Sequence, residues 1–497
     1  VTANVPTTES SHGGRPLAES IVSNSLTLFG GQIAIKLVSF LFSIVVIRYL
    51  GSEEYGKYAI CMAFGGLFTV ISDMGLATLL VKRIARDRAD MPWLVSNILV
   101  LRLLLSGGVV ALTSVIAWLV GYPLDIRLGI VIASCGLISY SLFGVADAIV
   151  MGQERFRFSA VLNVVVQVVT LVLAAVLVFG GLGFFGLLTA ATAGVFLVGV
   201  VAFRRLRAET SLSAPVQTSS WPGLIRAAWP FAAITLALSL SYRADAVILS
   251  MYVGTAVIGT YAVAYNLIFT FATLSHSINL ALFPALTRQH REDPSRSPEA
   301  FRQSLKYLFF ISLPVAVFVS AYATQIVTFL YGEPLAPAGR PLAVLAWVIP
   351  LMFLSEFLGY AAIIVDRERL AARANWVSAV SNVGMNLALI PFFGVMAAAA
   401  TTIVTEAVLV CQYNWELRRN GLFADLGRVY GRTLVAIAAL ALLVVALRVW
   451  EIGLLPAAAV AVPLYLIVSF AVGAVSREEA RLLIAMLRGR LGASLGR

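Results

Sequence analysis

Lys36 stands in the middle of an apolar run with Gln32, Ser39 and Ser43 around it at helical spacing, so an otherwise greasy helix carries one polar stripe centred on a cation. A charge at mid-bilayer costs roughly 2.5–3.5 kcal/mol, which obliges such a stripe to face water or a partner inside the protein. The pattern recurs. One later run offers Asn266, Thr270, Thr273 and Ser277 with His276 beside them, and the run before it offers Thr235, Ser239 and Tyr242 ahead of Arg243 and Asp245. Asn163, Gln167 and Thr170 form another stripe, as do Asn375, Ser378, Asn382 and Asn386. A lone serine or threonine can satisfy its own helix backbone, and a lone asparagine can join two helices. Stripes on so many runs together predict a hydrated cavity, and the chemistry such a cavity can do is recognition of polar or charged groups at membrane depth.

Arg102 lies about two turns inside a further run, where it either snorkels to the surface or points to the cavity. Asp73, Asp147, Glu356 and Glu406 are the acidic residues in or near such runs. Asp73, Asp147, Glu356 and Glu406, with His276, are candidates for coupling to a proton or sodium ion; the alternative for each acid is structural pairing with a nearby Arg or Lys. Bond-making chemistry finds no support. Gly51–Tyr58 reads G-x-x-x-x-G-K-Y, but it lacks the Ser or Thr that binds magnesium and no strand precedes it. No H-E-x-x-H or G-x-S-x-G stands anywhere in the chain, and Cys61, Cys135 and Cys411 share no metal-ligand spacing. The expectation is a protein that is not an enzyme, with no cofactor, no metal and no catalytic residues.

The elements that must hold these stripes are membrane helices. With 60% hydrophobic and 12% charged residues, the surface cannot all face water. Apolar runs of roughly eighteen residues or more recur from Ser25 to Val475, long enough to cross about 30 Å of hydrocarbon, and predict an all-α polytopic protein of about fourteen spans. The net charge of +11 does not imply nucleic acid, because the basic residues gather in the first tail and in every second loop, as in Lys82–Arg88, Arg204–Arg207 and Arg367–Arg373. That asymmetry places those loops and both termini in the cytoplasm. The polar leader, rich in Thr, Ser, Gly and Pro, does not read as a cleavable signal peptide.

The chain also repeats itself. Tyr49-Leu50-Gly51-Ser52-Glu53-Glu54-Tyr55-Gly56-Lys57-Tyr58-Ala59 returns as Tyr252-Val253-Gly254-Thr255-Ala256-Val257-Ile258-Gly259-Thr260-Tyr261-Ala262, with both tyrosines, both glycines and the alanine kept. Gly183-Phe184-Phe185-Gly186 echoes Pro391-Phe392-Phe393-Gly394, and Glu154-Arg155 echoes Glu368-Arg369. Two pseudo-symmetric six-helix lobes follow, over 25–203 and 223–416, joined by a cytoplasmic linker at 204–222. A disordered cytoplasmic tail is expected over 1–24, two extra helices over 432–475, and an amphipathic cytoplasmic tail on acidic lipid over 476–497.

The segment Arg48–Tyr58, then Ser72-Asp73-Met74-Gly75-Leu76 and Lys82-Arg83-Ile84-Ala85-Arg86, resembles the polysaccharide-transporter (O-antigen repeat-unit flippase) branch of the multidrug/oligosaccharidyl-lipid/polysaccharide exporter superfamily. The resemblance covers the first twelve spans or so. It implies two lobes around a V-shaped cavity in the plasma membrane, and movement of an undecaprenyl-diphosphate-linked oligosaccharide from the inner to the outer leaflet by alternating access. Lys36, Arg243 and Arg102 would then neutralise the diphosphate, while Gln32, Ser39, Tyr242, Asn266, Thr270 and Thr273 would exchange hydrogen bonds with the glycan. A polysaccharide polymerase and glycosyltransferases are the partners it suggests. A lipid II flippase or multidrug exporter of the same superfamily, or a membrane glycan polymerase or ligase, are the alternatives. The short outer loops speak against the last of these.

Overall fold

The structure is a computed structural model that describes residues 17–209, 214–419 and 426–474, with side chains placed in 35–208, 214–419 and 431–474. Among the described residues there is no strand. The helices are α1 Leu17–Asp73, α2 Leu76–Arg86, α3 Met91–Leu119, α4 Leu124–Gly152, α5 Phe156–Leu177, α6 Gly183–Glu209 and α7 Trp221–Leu249. After these come α8 Thr255–Glu292, α9 Ser297–Tyr331, α10 Gly339–Leu345, α11 Val348–Ile364, α12 Glu368–Arg419, α13 Leu426–Val449 and α14 Leu454–Ala471. Among the described residues, ten helical stretches are long and apolar enough to cross a membrane, or eleven if the bent pair Glu333–Leu345 and Val348–Ile364 is one span.

That number is lower than about fourteen for a physical reason. The stretches Ile35–Asp73, Phe156–Ala208 and Glu368–Arg419 hold 39, 53 and 52 residues, and at 1.5 Å per residue the last two would run close to about 80 Å if straight. Each is broken by glycine in a conformation closed to other residues: Gly51 at φ 72°, Gly183 at φ 53° and Gly394 at φ 55°. Gly51 and Gly394 are one-residue breaks with helix on both sides, and α5 passes into α6 through the π-helical turn Val178–Leu182, where Gly181 also has a positive φ of 93°, so no loop separates the parts. Hydropathy alone reads the same breaks as span boundaries.

These breaks correct one of the echoes. Gly183 (φ 53°, ψ −136°) and Gly394 (φ 55°, ψ −132°) share a backbone conformation, so the turn aligns Gly183 with Gly394, three residues off the register that the Phe-Phe match suggested. Phe184 therefore follows its turn and is 2% exposed, whereas Phe392 precedes its own and is 80% exposed. The main repeat holds its register. An ideal Cβ on Gly56 would lie 1.9 Å from the Thr255 carbonyl oxygen, and one on Gly259 would lie 1.8 Å from that of Ser52. The repeat offset converts the first contact into the second, so the two copies cross on a pseudo-two-fold axis, backbone against backbone, away from the arginine-rich loops.

The rest of the motif is a brace. Lys57 Nζ lies 3.0 Å from Glu54 Oε1 and 3.0 Å from Asp125 Oδ2, and Glu54 Oε2 accepts the Phe184 backbone N–H at 3.3 Å. One Glu-x-x-Lys pair thus ties α1 to the first turns of α4 and α6. The second copy has Val257 and Thr260 at those places and no such brace.

The largest apolar core runs without interruption from Ile47 and Phe64 in α1 through α8, α9 and α11 to Leu417 in α12. A second core lies between α2, α3, α4 and α6 and takes in Leu224 and Ala228 of α7. A third joins α13 and α14 to α9. The expected linker is shorter than 204–222, since α6 continues to Glu209 and α7 starts at Trp221. It is pinned to α3: the Oδ1 of buried Asn97 accepts from Gln217 N at 2.8 Å and from Trp221 Nε1 at 3.3 Å. Helix α1 likewise begins at Leu17, inside the stretch expected as a disordered tail. The second lobe, expected to end at 416, continues in helix to Arg419. Residues 1–16 and the expected amphipathic tail at 476–497 lie outside the described residues.

Candidate functional site

Two chambers open between the halves and share a wall made by Leu238, Tyr242 and Phe269. The first, of about 450 Å³, lies against α1, α4 and α6, where Gly65, Gly66, Ala133 and Gly136 leave room and Thr69, Tyr140, Thr192, Thr235 and Ser239 supply hydroxyls. The second, of about 690 Å³, lies against α8, α11 and α12 and reaches Glu368 in the first turn of α12, on the arginine-rich side. Each chamber has one aliphatic-stemmed cation. Arg243 enters the first, and a Cβ on Gly66 would meet its Nε at 3.0 Å, so the guanidinium lies along a strip that only glycine leaves open. Lys36 enters the second, among Thr273, His276 and Glu356. Neither cation forms an ion pair among the described residues.

Other expected contacts are organised differently. Ser39 and Thr270 hydrogen-bond their own helix backbone, to Ile35 O at 2.8 Å and Asn266 O at 3.1 Å. Asn266 donates to Ser43 Oγ at 3.3 Å and so joins α8 to α1; it does not line either chamber. The side chain of Gln32 lies outside the described residues. Glu356 and His276 do meet, with His276 Nδ1 2.6 Å from Glu356 Oε1. Asp147 instead accepts from Ser159 Oγ at 2.5 Å, linking α4 to α5.

Arg102 does not reach the cavity. It is 5% exposed, its NH2 group pairs with Asp73 Oδ1 at 3.0 Å, and its guanidinium lies over Gly144 of α4. Asp73 also accepts the backbone N–H groups of Gly75 at 3.1 Å and Ala77 at 3.3 Å, which caps the start of α2. One carboxylate therefore holds a buried charge and a helix start together, a use that competes with ion coupling. Asp73→Asn leaves the guanidinium buried without a counter-charge and is expected to cost about 3–5 kcal/mol, read as a large fall in the thermal stability of the detergent-purified protein. Asp73→Asn with Arg102→Met restores much of it; a double variant as unstable as the single would contradict the pairing.

Sequence reasoning missed Tyr140, Tyr360 and Tyr413 in the chamber walls. An aromatic residue in an apolar run looks like core; Tyr140 has no polar neighbour one turn away, whereas Glu356 four residues before Tyr360 and Glu416 three after Tyr413 were usable signals. The central pair Gly65-Gly66 was a usable signal, since glycine inside a span marks close approach by another group.

Residues 45–338 match the model of a family described as "Polysaccharide biosynthesis protein". Two proteins of Haloferax volcanii are similar over most of their length. They are the "Probable low-salt glycan biosynthesis flippase Agl15", 22% identical over 78% of this chain and 81% of that protein, and the "Probable flippase AglR", 24% identical over 76% and 79%. Among solved structures, the lipid II flippase MurJ in an inward closed conformation superposes with a TM-score of 0.75, 14% identity, and cover of 89% of this chain and 98% of that one. An inward-facing MATE family multidrug transporter superposes with a TM-score of 0.61, 14% identity, and cover of 77% and 94%.

Proposed function

Because the chain belongs to the polysaccharide biosynthesis protein family, we propose that it is a multi-pass membrane flippase that moves a lipid-linked oligosaccharide across the bilayer by alternating access. It is a transporter rather than an enzyme, in keeping with relatives named as flippases. The finer reading is that the lipid is undecaprenyl diphosphate, the membrane the plasma membrane, both termini cytoplasmic, and the direction inner to outer leaflet. The loop arginines support the orientation through the positive-inside rule. A polysaccharide polymerase and glycosyltransferases would act after and before it.

The observation that carries this reading is the pair of chambers with one unpaired cation each. A glycan and an anionic diphosphate cannot cross hydrocarbon unaided, while a polyprenyl tail is stable there. Arg243 and Lys36 offset the diphosphate charge, Ser239, Tyr242 and Asn375 replace the hydration of the sugar hydroxyls, and Thr69, Thr192 and Thr235, whose hydroxyls donate to backbone carbonyls, offer acceptor lone pairs. Arg243 is six residues from the end of α7 at Leu249, about 9 Å along the helix, whereas Lys36 is fourteen residues from Leu50, about 21 Å. The cations thus stand at different depths, which suits a head group that changes level.

The test is reconstitution. Vesicles containing the full chain and a fluorescent polyprenyl-diphosphate oligosaccharide should lose inner-leaflet label to an external sugar-oxidising or quenching reagent faster than protein-free vesicles. Equal rates would refute the reading. Faster movement of lipid II than of repeat-unit oligosaccharides would assign it the other lipid-linked substrate.

A further inference from the structure

We propose that the glycan this chain moves carries no carboxylate, and that the wall of the second chamber around Glu356 is what turns acidic sugars away. The inference rests on the flippase reading and adds to it the chemical class of the substrate. A polyprenyl diphosphate brings a negative charge on each of its phosphates, and the chambers offer Arg243 in the first and Lys36 in the second, neither of which forms an ion pair among the described residues. Both cations are then engaged. No further cation lines either chamber to meet a sugar carboxylate, apart from His276, which is already in contact with Glu356.

The two linings differ in their acids. The first chamber has no Asp or Glu in its wall, so Arg243 is the better seat for the diphosphate. In the second, Glu356 is 25% exposed and held in place, because Ser275 Oγ donates to its Oε2 at 2.7 Å and His276 Nδ1 lies 2.6 Å from its Oε1. It cannot swing out of a sugar's way. Glu368 also lines this chamber, but it is exposed at the mouth between Arg367 and Arg369, where water and neighbouring opposite charges screen it. Asp245 and Glu406, 1% and 6% exposed, line neither chamber and add no positive charge. A carboxylate brought beside Glu356 therefore meets a like charge away from bulk water, the repulsive element that discrimination between similar ligands needs.

What the walls do offer is uncharged. Tyr242 and Phe269, in the wall common to both chambers, meet edge to face with ring centroids 5.7 Å apart and planes at 71°. Tyr140 is 54% exposed in the first chamber, and Tyr360 and Tyr413 line the second. Aromatic faces pack on the apolar C–H face of a pyranose, and a few placed polar groups serve its hydroxyls. Tyr413 accepts from Asn375 Nδ2 at 3.0 Å, which leaves the tyrosine proton and Asn375 Oδ1 for a sugar. Such a lining suits hexoses and N-acetylhexosamines, which are polar and carry no charge.

The test compares two polyprenyl-diphosphate oligosaccharides of equal length in vesicles holding the full chain, one with glucose and the other with glucuronic acid at the same position. The neutral one should cross at least about tenfold faster. The quantity read is the ratio of the two rates, which a general loss of activity does not move. Glu356→Gln should bring that ratio below about threefold, and Thr273→Lys, which adds a cation to the same wall, should do so independently. Should one variant fail to fold, the other carries the test. Equal rates in the wild type, both above those of protein-free vesicles, overturn the inference and leave the flippase reading standing. A ratio that stays at the wild-type value in the variants that fold overturns the role given to the Glu356 wall. Both rates at the protein-free level sink the flippase reading, and this inference with it.

Discussion

Arg243→Ala is expected to lower translocation of a polyprenyl-diphosphate oligosaccharide by roughly 10- to 150-fold, from the about 1.5–3 kcal/mol that a hydrogen bond to a charged group contributes, while the protein reaches the membrane at the wild-type level. Arg243 forms no ion pair among the described residues and lies along Gly66, and the buried carboxylate two residues on, Asp245, is held by the Tyr261 hydroxyl at 2.6 Å, so removing the guanidinium breaks no ion pair. The same argument applies to Lys36→Ala in the other chamber, and the double variant should fall to the protein-free background. Arg243→Lys keeps a charge but loses the planar fork, and should retain part of the rate. The measurement is leaflet exchange in vesicles beside membrane abundance and thermal stability. Full activity of both alanine variants would remove the diphosphate role from these residues.

The second large effect concerns the crossing of the repeated motif. Gly259→Val puts side-chain atoms where the Ser52 carbonyl already lies 1.8 Å from an ideal Cβ, and the obstacle is backbone, which cannot rotate away. The two copies must separate by more than about 1 Å, since real contacts of this kind stay near the 3.3–3.6 Å of a Cα–H···O approach. The expected result is loss of transport together with entry of an impermeant thiol reagent to a cysteine at Thr69 from the face opposite the arginine-rich loops. Gly56→Val should do the same, because the repeat relates the two positions. Unchanged transport and unchanged labelling in both variants would mean that the crossing does not close that face.

How far the sequence announced this can be judged residue by residue. The tandem motif was legible, because its glycines, tyrosines and alanine recur in order, and its glycines meet as the repeat demands. Lys36 was legible as a cation in the middle of an apolar run, although Ser39 and Ser43 of its stripe are spent on their own helix backbone and, at Ser43, on Asn266 of α8. Arg102 was not, since its burial depends on Asp73, on a different helix, and a lone arginine two turns inside a span reads equally as snorkelling or cavity-facing. Asn266 and Thr270 show the limit of stripes: the same spacing serves helix-to-helix bonds and backbone bonds as readily as a cavity. The Phe-Phe echo misled by three residues because residue identity was matched where backbone conformation, set by Gly183 and Gly394, fixes the alignment. Of the chamber tyrosines, Tyr140 had no polar residue one turn away to give it away, while Tyr360 and Tyr413 stood beside Glu356 and Glu416 at helical spacing and were passed over as core.

The crossing of the two copies also says something about energetics. At Gly56 and Gly259 the opposing surfaces meet through main-chain atoms, and beside that contact Ile60 and Phe64 of α1 share one buried core with Ile258 and Tyr261 of α8. Main-chain contacts of that kind are worth about 0.5–1 kcal/mol each, far less than extracting a buried leucine or phenylalanine from its socket. The glycines therefore set how closely the two copies approach, while the cost of parting them lies in the core that α1 and α8 share.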